Sequence, residues 1–321
     1  MFKPYSVPRA LGLMALTALC AGAVMARPAL ETLVAPSPAA GETRTPARLT
    51  VQTVQLPQGT VYTVTIPGGS GYSVEPVSLA SLTPVAGVAD AQPAAAAIIN
   101  AGFFDPGNGK TTSFITLQGA LKEDPRQNER LTGNPALAPY LKQFWERTEF
   151  RVYQCPDRRY DITSHSSPLP QGCTLQSALG AGPNLLEPGD TPIRDLVDHN
   201  LMKEGFIARD ENGKLVRDPI GAFRPNARSA VGLKANGDVV LLMAAQRPAR
   251  TNQAAAGGFS LPQVASLLAS MGCTRGMALD GGSSSSLWAD GKIRYGKFDA
   301  KGNPVRRAVK SVLSVVPAEG G

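Results

Sequence analysis

The chain is 321 residues long, carries a formal net charge of +7, and is 43% hydrophobic and 6% aromatic. That size allows one large domain or two small ones, each with a sizeable core. The basic residues are scattered and not clustered on one periodic face, which argues against nucleic acid, and the mildly basic balance favours anionic ligands such as phosphate-bearing glycans.

Residues 1–26 have the organisation of an export signal. Lys3 and Arg9 precede the apolar run from Ala10 to Val24, and Val24, Met25 and Ala26 fit the small-residue rule at a cleavage site, so a mature chain would begin at Arg27. The run is short for a bilayer span, and no later segment is apolar for long enough. Cys20 follows the bulky Leu19, where a lipoprotein signal wants a small residue. A periplasmic or secreted protein is expected, without an integral membrane segment. Residues 27–48, rich in Pro, Ala, Thr and Glu, read as a disordered lead-in to a domain over 49–321.

From Leu49 the segments LTVQTVQL, VYTVTI and SVEPVSLA alternate as antiparallel strands do. Thr83 and Pro84 open a helical pattern that runs to Pro93, and AAAAIIN comes next as a buried strand ending at Asn100. Residues 124–217 are less regular, with a helix expected over about 136–147, and read as a peripheral insertion. RSAVGLKANGDVVLLMAA is a hairpin turning at Asn236 and Gly237. Ser260 can cap a helix with Pro262 in its first turn, Leu261, Val264, Ala265, Leu268 and Met271 fall at helical spacing, and Gly272 can end it. The short run Met277, Ala278, Leu279 then reads as a strand, and VKSVLSVVP finishes the sheet. Strands and helices mix without strict alternation, so the expected fold is α+β or mixed α/β, a mixed sheet core with packed helices and the irregular insertion outside it.

An oxidising compartment favours a Cys155–Cys173 disulfide in the polar, Pro-containing stretch that holds both. Cys273 comes after the capped helix and reads as a small buried residue. With His165 and His199 as the only histidines, a His/Cys zinc site is not expected. Gly109-Lys110-Thr111 lacks the first glycine of a phosphate-binding loop, Gly180-Ala181-Gly182 lacks the third glycine of a dinucleotide fingerprint, and Ser164-His165-Ser166 reads as a polar loop.

What remains is a set of polar residues that punctuate apolar strands: Asn100 in INAGFFD, Arg228 in RPNARSAVG, and Asp280 in LDGGSSSS. Gly281 and Gly282 permit a tight turn with outward N–H groups, and the serines after them supply hydroxyls suited to an oxyanion or phosphate. In these segments the chain resembles the phosphodiester glycosidase family, which has an asparagine, glycine and paired phenylalanines, an arginine before a small-residue strand start, and a leucine-aspartate-glycine-glycine segment with Ser or Thr after it. The stretch Gly180 to Gly189 resembles that family's glycine-proline segment. Ala101 stands where a glycine is common, and Asn226-Ala227 where proline often precedes the arginine.

The resemblance implies hydrolysis of a sugar-1-phosphodiester at the sugar C1–O bond. Asp280 would activate water or attack the anomeric carbon. Arg228 would grip the phosphate bidentately, helped by Gly281, Gly282, Ser283 and Ser284, while Asn100 would hold a sugar hydroxyl or orient Asp280. Gly102, Phe103 and Phe104 are candidate sugar contacts. No cofactor is required; Asp105 is a candidate ligand for a divalent cation such as calcium, although no dense Asp/Asn loop accompanies it. Two other readings stay open: a non-catalytic envelope module that binds glycan or peptidoglycan, and a phosphodiesterase that cuts P–O.

Overall fold

The computed structural model describes residues 49–248 and 257–318. The chain divides into Met1–Glu42 and Thr43–Gly321, and the described residues all belong to the second unit. The expected export signal and lead-in lie outside the described residues.

Three antiparallel sheets form the frame. The first has six strands, in the order Val51–Leu56, Gly59–Ile66, Val239–Gln246, Arg228–Lys234, Cys273–Ala278 and Asn184–Leu186. The second runs Lys292–Tyr295, Ser286–Ala289, Ala97–Asn100, Ala308–Pro317 and Tyr72–Pro84. The third runs Ala120–Glu123, Ile115–Leu117, Thr174–Gly180, Thr148–Gln154 and Arg158–Ser164.

This corrects the expected α+β or mixed α/β fold. Among the described residues strands take 43% and helices 18%, and every ladder is antiparallel. The reason is that continuous apolar runs, the usual mark of a parallel strand covered on both faces, arise here because antiparallel strands are covered on both faces too. In Val239–Gln246, Leu241, Met243 and Ala245 enter a core shared by the three sheets. Val240, Leu242 and Ala244 face the other way, onto Val197, Leu201, Val264 and Leu268 of helices Ile193–Lys203 and Leu261–Ser270. Burial of one such side chain contributes about 1.5–3 kcal/mol, so this strand is held from both sides. A third apolar cluster joins helix Val85–Ala91 to the outer face of the second sheet through Val85, Val88, Ile98 and Val312.

The stretch 124–217 is not a peripheral insertion. It supplies three strands of the third sheet and an edge strand of the first, and its Phe150, Val152, Ile162 and Leu179 are fully buried in the shared core. Its expected helix over 136–147 shrinks to a 3-10 turn Ala138–Tyr140 and the short helix Leu141–Trp145, because Thr148 already pairs in a strand.

Local signals hold closely. Ser260 caps its helix in a capping box with Gln263, and Gly272 comes after it with φ +83°. The Asn236-Gly237 turn joins the hairpin strands, with the Gly237 N–H donating to the Lys234 carbonyl at 3.0 Å. Cys155 and Cys173 form a disulfide beside the paired residues Gln154 and Thr174, and Cys273 is free and buried. Among the described residues no helix is long and apolar enough to cross a membrane.

Candidate active site

Asp280 lies just past strand Cys273–Ala278, where the first and second sheets meet. Its N–H donates to the Ala101 carbonyl at 2.7 Å. Asn100 ends strand Ala97–Asn100 and is fully buried. Its Nδ2 donates to the Asp280 carbonyl at 2.6 Å, while its Oδ1 accepts from the Ser229 hydroxyl at 2.7 Å and the Ser286 N–H at 3.0 Å. One amide therefore joins four segments and fixes the backbone that carries Asp280. That geometry makes Asn100 a positioning residue for Asp280, with its carbonyl oxygen already committed within the protein.

The turn after Asp280 is wedged against Ala227 and Arg228. A Cβ on Gly281 would stand 3.0 Å from the Ala227 carbonyl. Gly282 has φ +60°, a conformation that favours glycine, and its N–H donates to the same carbonyl at 2.8 Å. The Gly281 N–H and the Ser284 hydroxyl favour the charged form of the Asp280 carboxylate. Burial pushes the Asp280 pKa up to about 6, against the lowering effects of Ser284, the nearby Arg307 charge and Gly281. Ser283 lines the cavity and has no hydrogen-bond partner among the described residues.

Arg228 begins strand Arg228–Lys234 and is 3% exposed. Its guanidinium donates to four carbonyls: Nε to Phe259 at 3.0 Å, Nη1 to Ile220 at 3.2 Å, and Nη2 to Gly221 at 2.5 Å and Arg224 at 3.0 Å. A guanidinium has five N–H groups, so one remains. The fork expected to grip a phosphate instead ties the loop 220–224 and Phe259 to the site. Burial lowers its pKa to about 10, which leaves it charged at neutral pH.

Asn226, Arg228, Asp280, Gly281, Gly282, Ser283, Phe103 and Lys297 all line one cavity of about 240 Å³. Phe103 is wedged there against Phe206, with ring centroids 5.5 Å apart. Gly102 is outside this lining: its N–H donates to Ser311 Oγ at 2.9 Å, and a Cβ there would meet the Gly180 carbonyl at 3.0 Å. Phe104 turns to a neighbouring cavity, where Arg307 lies over its ring at 5.5 Å. Asp105 pairs with Arg130 at 2.8 Å and accepts from the Gly107 N–H at 2.7 Å. No group of three or more His, Cys, Asp or Glu suited to a metal ion occurs among the described residues.

Sequence reasoning missed Asn226, Lys297 and Arg307 as site residues. Lys297 and Arg307 come from a loop far from the other motifs, closed by the Phe298–Pro304 bridge and a Val305 N–H to Lys297 carbonyl bond of 2.9 Å. Nothing in their spacing marks them; Asn226, next to the motif arginine, was the one within reach.

Fold and site together define an antiparallel β-sheet protein with a carboxylate-centred, cation-framed cleft at a junction of two sheets. The chain belongs to the phosphodiester glycosidase family, whose model matches residues 93–316. It is similar in fold to the catalytic domain of zebrafish N-acetylglucosamine-1-phosphodiester alpha-N-acetylglucosaminidase, solved as auto-inhibited by its pro-peptide, with 16% identity, a TM-score of 0.55, and 87% of this chain and 86% of that one covered. A hypothetical protein from Synechocystis is similar at 18% identity and a TM-score of 0.53, over 84% of this chain and 62% of that one. A comparison with curated proteins gives no match.

Proposed function

We propose that this protein is an exported hydrolase that cleaves the glycosidic C1–O bond of a sugar-1-phosphodiester. One observation carries the reading. Among the described residues Asp280 is the only carboxylate lining the cavity, and the cations Arg228 and Lys297 line it too. Ordinary glycoside hydrolysis uses two carboxyl groups, one of which protonates a poor alkoxide leaving group. A phosphate monoester has its second pKa near 6 and leaves as the dianion without a proton. It needs positive charge close by, and a second carboxylate would oppose it.

In this reaction the C1–O bond to phosphorus breaks and its electron pair leaves with the phosphate. Water supplies the hydroxyl that completes the sugar, and the displaced proton passes through Asp280 or to solvent. Asp280 either takes the water proton or bonds to C1 first; in both routes its negative charge meets the positive charge that develops on the ring. Asn100 keeps its backbone in place. The export signal pattern and the Cys155–Cys173 disulfide support action outside the cytoplasm, on envelope or extracellular phosphoglycans.

The zebrafish protein acts on an N-acetylglucosamine-1-phosphodiester by its name, which makes the methyl phosphodiester of N-acetylglucosamine-1-phosphate a sensible first substrate. Purified mature protein should release reducing sugar and methyl phosphate from a panel of sugar-1-phosphodiesters headed by it. Binding without release across the panel would favour the glycan-binding module instead.

A further inference from the structure

Because four of the five Arg228 N–H groups are committed to carbonyls, a bidentate grip on phosphate needs a further donor, and Lys297 meets the physical requirements. Lys297 lines the same cavity as Asp280, Gly282 and Ser283, and among the described residues its ammonium has neither an ion pair nor a hydrogen bond. Its starting point is fixed. The Gly296 N–H donates to the Ser285 carbonyl at 2.8 Å and its carbonyl accepts from Gln246 at 2.8 Å. A Cβ at Gly296 would lie 2.6 Å from Ser285 Cβ and 3.0 Å from Ala227 Cβ, so the backbone presses directly on the serine segment, and only glycine allows that approach. The Lys297 carbonyl is anchored by Val305.

Three cations of another cleft are already matched. In a larger cleft of about 990 Å³, Arg158 pairs with Glu75, Arg275 with Asp161 at 3.4 Å, and Lys234 with Asp238 at 3.7 Å. A half-buried lysine in a cavity lining without a counter-ion is costly unless an anion visits it.

We propose that Lys297 is the phosphate-recognition residue of this site, its ammonium donating to the non-bridging oxygens of the scissile phosphodiester while the unpartnered Ser283 N–H and hydroxyl complete the cradle. The proposal rests on the reading of the site as a phosphodiester glycosidase, and it selects substrates that carry an anionic group at the anomeric oxygen. An ammonium is a point donor that tolerates several aglycones, so specificity for the anion is separated from specificity for what the phosphate carries.

The test compares Lys297→Met with wild type on the methyl phosphodiester of N-acetylglucosamine-1-phosphate and on 4-nitrophenyl α-N-acetylglucosaminide, whose leaving group has no phosphate. A charge-assisted hydrogen bond contributes roughly ten- to hundred-fold, and kcat/KM on the phosphodiester should fall by that factor while the aryl glycoside changes less than about threefold. Equal losses on both substrates would overturn the proposal. A second arm does not depend on turnover: titration of inorganic phosphate into Asp280→Asn, which lacks the like charge, and into Asp280→Asn/Lys297→Met. Phosphate affinity should fall with Lys297 and stay unchanged in a Lys234→Met control made in the Asp280→Asn background. Unchanged phosphate affinity without Lys297 would contradict the assignment. If wild type cleaves neither substrate, the glycosidase reading fails while the phosphate titration still decides the role of Lys297.

Discussion

Asp280 sits in a balance between burial, which disfavours its charge, and the Ser284, Arg307 and Gly281 groups that favour it, with a resulting pKa of about 6. At neutral pH it is ionised and able to act as base or nucleophile. kcat/KM should therefore fall as pH drops below about 6, and Asp280→Asn should lower kcat by at least about 10²-fold while sugar phosphodiester still binds. A variant with near wild-type turnover would remove Asp280 from catalysis. Because the pKa is raised, the native state holds more protons than the unfolded chain between the unfolded value of 3.8 and about 6, so stability contributed by this group is present below 3.8 and lost as pH rises through 6. Asp280→Asn should consequently raise the melting temperature at pH 8 and have little effect at pH 4. Asn100 is different, because its removal leaves the buried Ser229 hydroxyl and Ser286 N–H without their partner. Asn100→Ala should destabilise by about 2–4 kcal/mol, read from the urea midpoint; a change near zero would mean water replaces the amide.

At the level of elements, the loop 220–224 and the segment entering helix Leu261–Ser270 are held to strand Arg228–Lys234 by the four Arg228 bonds. A lysine cannot span four carbonyls. Arg228→Lys should therefore lower kcat/KM on phosphodiesters and aryl glycosides by similar factors and reduce thermal stability, and a loss confined to phosphodiesters would return the phosphate to Arg228. The sequence made such features legible unequally. The Ser260 cap and the Asn236-Gly237 turn were readable because their chemistry is local. The association of Asn100, Arg228 and Asp280 was foreshadowed by polar residues closing apolar runs. The partners of Arg228 were not, since they are carbonyls of a loop whose path depends on tertiary packing. Strand direction was equally hidden, because a run such as VVLLMAA has the same composition whether its neighbours run parallel or antiparallel.

For the whole molecule, three sheets share one core, and the segment 124–217 belongs to it through Phe150, Val152 and Leu179. Its loop-like composition, with many Pro and Gly, concealed this; in strand Thr148–Gln154 the buried ion pair of Glu149 and Arg151 alternates with Phe150 and Val152, so a buried strand does not read as an apolar run. The consequence is a junction of sheets whose cavity is lined by one carboxylate and two cations, a combination suited to a leaving group that is already an anion. Such a site should break the bond at the sugar carbon and leave the phosphorus untouched. Hydrolysis of the methyl phosphodiester of N-acetylglucosamine-1-phosphate in ¹⁸O-labelled water, with both products analysed by mass spectrometry, should place the label on the sugar C1 hydroxyl and none on methyl phosphate. Label on the phosphorus product would show P–O cleavage and contradict the account.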